Sequence, residues 1–201
     1  MPRYFLTVLL FLASLPGFSQ KVATQLLDES WIAINGRSNI VDFSFHQAAD
    51  NFIKKTMSFT ASRMDTRVRF SENRLSIEVK KFNSSNKMAL RDFFKLVDAE
   101  KYPHIQIELD YVETARGDTL VQKGDVYADT HIDIVIAGVE NKYDFPVKVF
   151  NEANKLTLTG SKRINIEDFG LAPPNELFGL VRVSEWIEIE FQINLLVDVE
   201  F

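Results

Sequence analysis

Between Lys87 and Glu113 the apolar residues change spacing across a single Tyr-Pro pair, and that change fixes the structure on either side. Leu90, Phe93, Phe94 and Val97 fall three and four residues apart, which places them on one face of a helix. After Tyr102-Pro103 every second residue is apolar: Ile105, Ile107, Leu109 and Tyr111 alternate with His104, Gln106, Glu108 and Asp110. Successive side chains of a strand point to opposite faces, so this strand has one apolar face and one wet face. Such a strand needs cover on one side only.

The same two-residue period recurs along the chain. It is clearest at Ile187, Ile189, Phe191, Ile193 and Leu195, which alternate with Glu188, Glu190, Gln192 and Asn194. Val68 and Phe70, then Leu75, Ile77 and Val79, then Ile132, Ile134 and Ile136, then Tyr143, Phe145, Val147 and Val149 follow the same rule. Residues 31–35, 40–45 and 156–166 read as further strands, with Val41, Phe43 and Phe45 on one face of the second; residues 56–61 carry a weaker signal. The sequence predicts a short helix or turn at residues 24–30, a tight turn at Glu72-Asn73 and a hairpin through Gly138-Val139-Glu140-Asn141. It also predicts a helix cap at Ser84 or Ser85, and a surface loop over residues 170–179, where Pro173-Pro174 breaks regular structure. Eight or more alternating strands with one helical stripe predict a mainly β, antiparallel protein with one or two short helices on its side or end. A two-sheet sandwich or a closed barrel would cover every apolar face. The long strands at residues 124–137 and 185–197 favour a β-barrel of about eight strands.

The first residues carry a different signal. Arg3 supplies a short positive region, Tyr4 to Leu15 an apolar run, and Gly17-Phe18-Ser19 small residues at −3 and −1 of a cleavage before Gln20. The run is shorter than the roughly 20 apolar residues of a spanning helix. Residues 1–19 are therefore expected to be a signal peptide and residues 20–201 a single domain, exported to a periplasm or secreted, with no stable membrane insertion. The chain has no Cys, which excludes disulfides, thiol catalysis and a lipoprotein anchor. A net charge of −5 argues against nucleic acid or an anionic membrane surface as partner. Seventeen Phe require a large aromatic interior.

Reactive constellations are sparse. His46, His104 and His131 lie far apart and none has metal-ligand spacing; His104 and His131 fall on polar faces, where surface histidines explain them. No Gly-x-Ser-x-Gly elbow supports a hydrolase nucleophile. Glu188/Glu190 and Glu108/Asp110 place paired carboxylates on one strand face, in the range of glycosidase geometry. That face is the outer one, where a catalytic acid lacks the burial that raises its pKa, so a solvated sheet face accounts for both pairs. Asp168-Phe169-Gly170 spells the magnesium motif of protein kinases without its companion loops. Lys54-Lys55 and Lys80-Lys81 read as outer charges. No catalytic residue, metal site or cofactor is expected, and the chain does not read as an enzyme.

What remains is the inward apolar face. Its expected lining is Phe43, Phe45, Val68, Phe70, Ile77, Ile105, Ile107, Leu109, Ile134, Phe145, Val147 and Phe191. An eight-stranded barrel holds one small ligand if its lining is loose and is a plain core if it is tight, and the pattern fits both.

Ordered motifs resemble the YceI-like family, the lipocalin-like polyisoprenoid-binding proteins of bacteria. Ser38-Asn39-Ile40-Val41-Asp42-Phe43-Ser44-Phe45-His46 resembles its opening strand and histidine, and Lys101-Tyr102-Pro103-His104-Ile105 its helix-to-strand junction. Residues 132–139 with Phe145-Pro146-Val147, and Ile164-Asn165-Ile166-Glu167-Asp168-Phe169-Gly170, are similar to later family segments. The chain departs from the family at Asn86-Lys87-Met88, where Arg-Asp followed by His-Leu is usual, and lacks a glycine near Ser58. The resemblance implies a non-enzymatic periplasmic barrel around a long apolar lipid, a polyisoprenoid or isoprenoid quinone, with His46 or Tyr111 as a polar group at the mouth. The competing reading is a cell-envelope interaction module with a packed barrel, using Leu177 and Phe178 of the 170–179 loop.

Overall fold

The computed structural model describes residues 19–51, 56–115, 124–152, 154–176 and 181–200. Strands β1 (Ser19–Leu26), β2 (Trp31–Arg37), β3 (Asp42–Ala48), β4 (Thr56–Met64), β5 (Arg67–Ser71) and β6 (Leu75–Glu78) precede the helix α1 (Lys87–Leu96). After it come β7 (His104–Thr114), β8 (Gly124–Ile136), β9 (Val139–Glu152), β10 (Lys155–Asn165), the short pair β11 (Asn175–Glu176) and β12 (Val181–Arg182), and β13 (Trp186–Glu200). The expected signal peptide, apart from Ser19, together with Lys54-Lys55, Leu177 and Phe178, lies outside the described residues.

Eight strands close into an antiparallel barrel in the order β1, β4, β5, β7, β8, β9, β10 and β13, with β13 returning to β1. The long last strand does more than close the ring. One edge pairs β10 through residues 186–196; the other pairs β2 through residues 188–192 and β1 through residues 195–200. β3 then pairs β2, while β6 extends β7 beyond β5. Among the described residues, the seam between β3 and β6 is joined by one bridge, from His46 to Asn83 just beyond β6, and α1 packs over it. The Phe93 ring stacks on Phe45 at 4.8 Å and meets Phe82 edge-on at 5.7 Å.

Several local expectations change. Of residues 24–30, the first three belong to β1 rather than to a helix or turn, because the Thr24 backbone is bracketed by Met57 and Val197 on both edges; the turn is confined to Asp28-Glu29. Glu72-Asn73 is not a hairpin turn: β5 and β6 lie end to end on the same edge of β7. Val79 and Ile166, read as strand residues, begin 3-10 turns. The β8–β9 hairpin is tighter than expected, with Ala137 and Gly138 alone between the paired Ile136 and Val139. Both turn residues have positive φ, the signature of a primed turn that matches strand twist. Asn86 caps α1, its side chain accepting from the Ala89 N–H at 3.0 Å, while the Ser84 hydroxyl accepts from Asn86. β3 starts at Asp42, so Ile40 and Val41 lie in an exposed turn held by the Ser38 hydroxyl.

Candidate ligand cavity

The barrel encloses a cavity of about 870 Å³, in the upper part of the range typical of small-molecule sites. All twelve residues expected to line an interior do line it: Phe43 and Phe45 from β3, Val68 and Phe70 from β5, and Ile77 from β6. Ile105, Ile107 and Leu109 come from β7, Ile134 from β8, Phe145 and Val147 from β9, and Phe191 from β13. The reason is strand parity, since residues directly opposite each other share a face. Ile107 faces Ile134, Gly160 faces Phe191 and Ile164 faces Ile187 across their ladders. The sequence reading missed Met57, Phe59 and Ala61 of β4, whose two-residue period is diluted by Ser and Thr.

The polar residues of the wall are mostly committed to the wall. The Thr130 hydroxyl donates to the Phe145 carbonyl at 2.8 Å, and the Thr24 hydroxyl to that of Met57 at 3.4 Å. Among the described residues, Arg63, Asp92 and Lys162 are the charged ones of the lining. Lys162 donates to the Asp144 carbonyl at 2.9 Å, and Asp92 pairs with Lys95 one helical turn on, at 3.7 Å. Asp92 is an acid facing the interior that strand patterns could not reveal, because it comes from α1. One end of the cavity is rimmed by Ile40, Val41 and Met88, which are 67%, 52% and 62% exposed.

Neither polar residue expected at the mouth is part of it. His46 follows the inward Phe45 on β3 and so points outward, towards Trp31. Tyr111 was expected on the face of Leu109, but a bulge intervenes: Leu109 faces Ile132 while Tyr111 faces His131, leaving Asp110 unopposed. One extra residue in a strand reverses the parity beyond it. Val112 and Thr114 therefore turn inward, and Tyr111 stacks outside on His131 at 3.7 Å, beneath the Arg67 guanidinium. His131 also pairs with Asp144 there.

The other candidate motifs are structural or solvated. Glu108 and Asp110 pair with Arg74 and Arg69 on the outer surface. Within Asp168-Phe169-Gly170, Phe169 is a core residue and the Asp168 carboxylate accepts from the Tyr143 hydroxyl at 3.2 Å. Burial, then the neighbouring Asp168 charge, pushes that hydroxyl up to about 12. Among the described residues, no group of three or more His, Asp or Glu side chains is placed to hold a metal ion, and no helix is long and apolar enough to cross a membrane.

The family model of the YceI-like domain matches residues 31–195. No curated protein sequence matches the chain. A polyisoprenoid binding domain from Saccharophagus degradans superposes with a TM-score of 0.58 at 12% identity, over 87% of this chain and 98% of its own. BcnA of Burkholderia cenocepacia superposes with a TM-score of 0.57 at 15% identity, over 83% of this chain and 96% of its own. At these identities the two structures share the fold with this chain.

Proposed function

The chain belongs to the YceI-like domain family, and on that premise we propose that it is an exported, non-enzymatic carrier holding a long apolar lipid inside its barrel. A polyisoprenoid or the tail of an isoprenoid quinone is the ligand class that fits best. The observation that carries this reading is the cavity itself: about 870 Å³, walled on nearly every strand by Ile, Leu, Val and Phe. Burying one CH₂ is worth about 0.8 kcal/mol, so each five-carbon unit contributes on the order of 3–4 kcal/mol before ordering costs. A few enclosed units would reach the practical ceiling of about 20 kcal/mol for non-covalent binding. Affinity of that size needs no polar anchor, which accords with His46 and Tyr111 lying outside the wall. Export is supported by the leader-like residues 1–19.

Organic extraction of the purified protein followed by mass spectrometry tests the proposal. An isoprenoid lipid at near-stoichiometric yield is expected. Recovery of no lipid, with a crystal structure in which side chains fill the barrel, would overturn it.

A further inference from the structure

Two glycines of the barrel wall stand directly opposite phenylalanines. Gly160 of β10 faces Phe191 of β13, and Gly36 of β2 faces Phe43 of β3. Neither glycine has a positive φ, so the backbone does not require one. Glycine also weakens a strand, so its presence needs another cause, and close approach by a neighbour is the usual one. Here the neighbour is a ring. A Cβ at Gly160 would lie 2.9 Å from Cζ of Phe191 and 3.3 Å from Cγ1 of Val147; one at Gly36 would lie 2.5 Å from both Cε2 and Cζ of Phe43. Each phenylalanine thus holds the tip of its ring over its glycine. Both rings also line the cavity.

We propose that Gly36 and Gly160 set the bore of the lumen, admitting a methyl-branched isoprenoid chain where a narrower bore would admit only an unbranched one. A methyl group at either position drives the tip of the ring off the wall. Both rings already line the cavity, so the displaced tip moves towards the lumen. The inference rests on the reading of the lumen as a lipid site, and it adds which residues select the chain.

The test uses the full chain, its G160A and G36A variants, and two probes: geranylgeraniol, which is branched, and oleyl alcohol, which is not. Both compete against a fluorescent fatty acid, and thermal melts check folding. One methyl group in an apolar pocket changes discrimination roughly ten- to two-hundred-fold. Each variant is expected to lose geranylgeraniol affinity in that range and to lose less for oleyl alcohol; adding Phe191→Leu to G160A restores the branched probe. Folded variants whose ratio of the two affinities is unchanged would refute the assignment. So would failure of both variants to fold, since the wall rather than the lumen would then need the space. If the unmodified protein binds neither alcohol, the lipid-site reading fails by itself. The crystal structure of G160A then decides the bore: a shifted Phe191 ring and a smaller lumen support the assignment, and an unmoved ring removes it.

Discussion

At Asn73 a side-chain carboxamide replaces a missing rung of backbone. Its Nδ2 donates to the Leu109 carbonyl at 2.8 Å, and its Oδ1 accepts from the Leu109 N–H at 2.7 Å. The two bonds bridge the break between β5 and β6 beside the bulge of β7. Asn73→Ala leaves both groups of a half-buried residue without their partner, at a cost of about 1–3 kcal/mol. A lower urea midpoint with an unchanged m-value is expected, and an unshifted midpoint would show that water substitutes fully. This site also marks where the sequence stops being legible. The twelve lining residues were readable because period two survives unbroken within each regular strand. The bulge at Asp110 was not, because Asp110-Tyr111-Val112-Glu113 fits either phase equally well and only pairing with β8 selects one. Gly36 reads in the sequence only as the end of a strand, which in fact continues to Arg37, and Gly160 gives no signal, since their role depends on which residue lies across the ladder.

Among the elements, α1 was the easiest to find and the hardest to delimit. Its apolar stripe forecasts the helix, and Leu90, Phe93 and Val97 are buried as that stripe requires. Its start was ambiguous because Ser84, Ser85 and Asn86 are successive residues that all favour caps. What no periodicity could show is the helix's task of covering the seam between β3 and β6, where one backbone bridge joins the two sides. Phe93 holds it there, between Phe45 and Phe82. Phe93→Ala is expected to cost about 3–5 kcal/mol. The loss should appear as a lower melting temperature and as faster amide exchange in residues 82–86, with β8 and β9 unaffected below the melt. Uniform loss of protection across all strands would argue that α1 is integral to the barrel rather than a cover on it.

For the molecule as a whole, closure depends on β1, which stands between β4 and β13. A chain beginning at Ser19 keeps every described strand pair, whereas one beginning at Leu27 leaves two open edges and a split wall. The first is expected to melt as the full chain does. The second is expected to lose its cooperative melt by circular dichroism and to aggregate through its free edges. Equal melts for both would refute the closed ring. The pairing of Lys21 with Glu200 also imposes a timetable. A chain is made, and threaded through any channel, from its N-terminus, and contacts between distant residues are slow to form. Here β2 has no partner for one edge, and β1 none for one of its own, until β13 has emerged. The barrel therefore cannot be finished before β13 is available to pair. Until then, β1 and β2 each offer an unpaired edge, and in that interval they are the natural handholds for any factor that keeps the chain from aggregating.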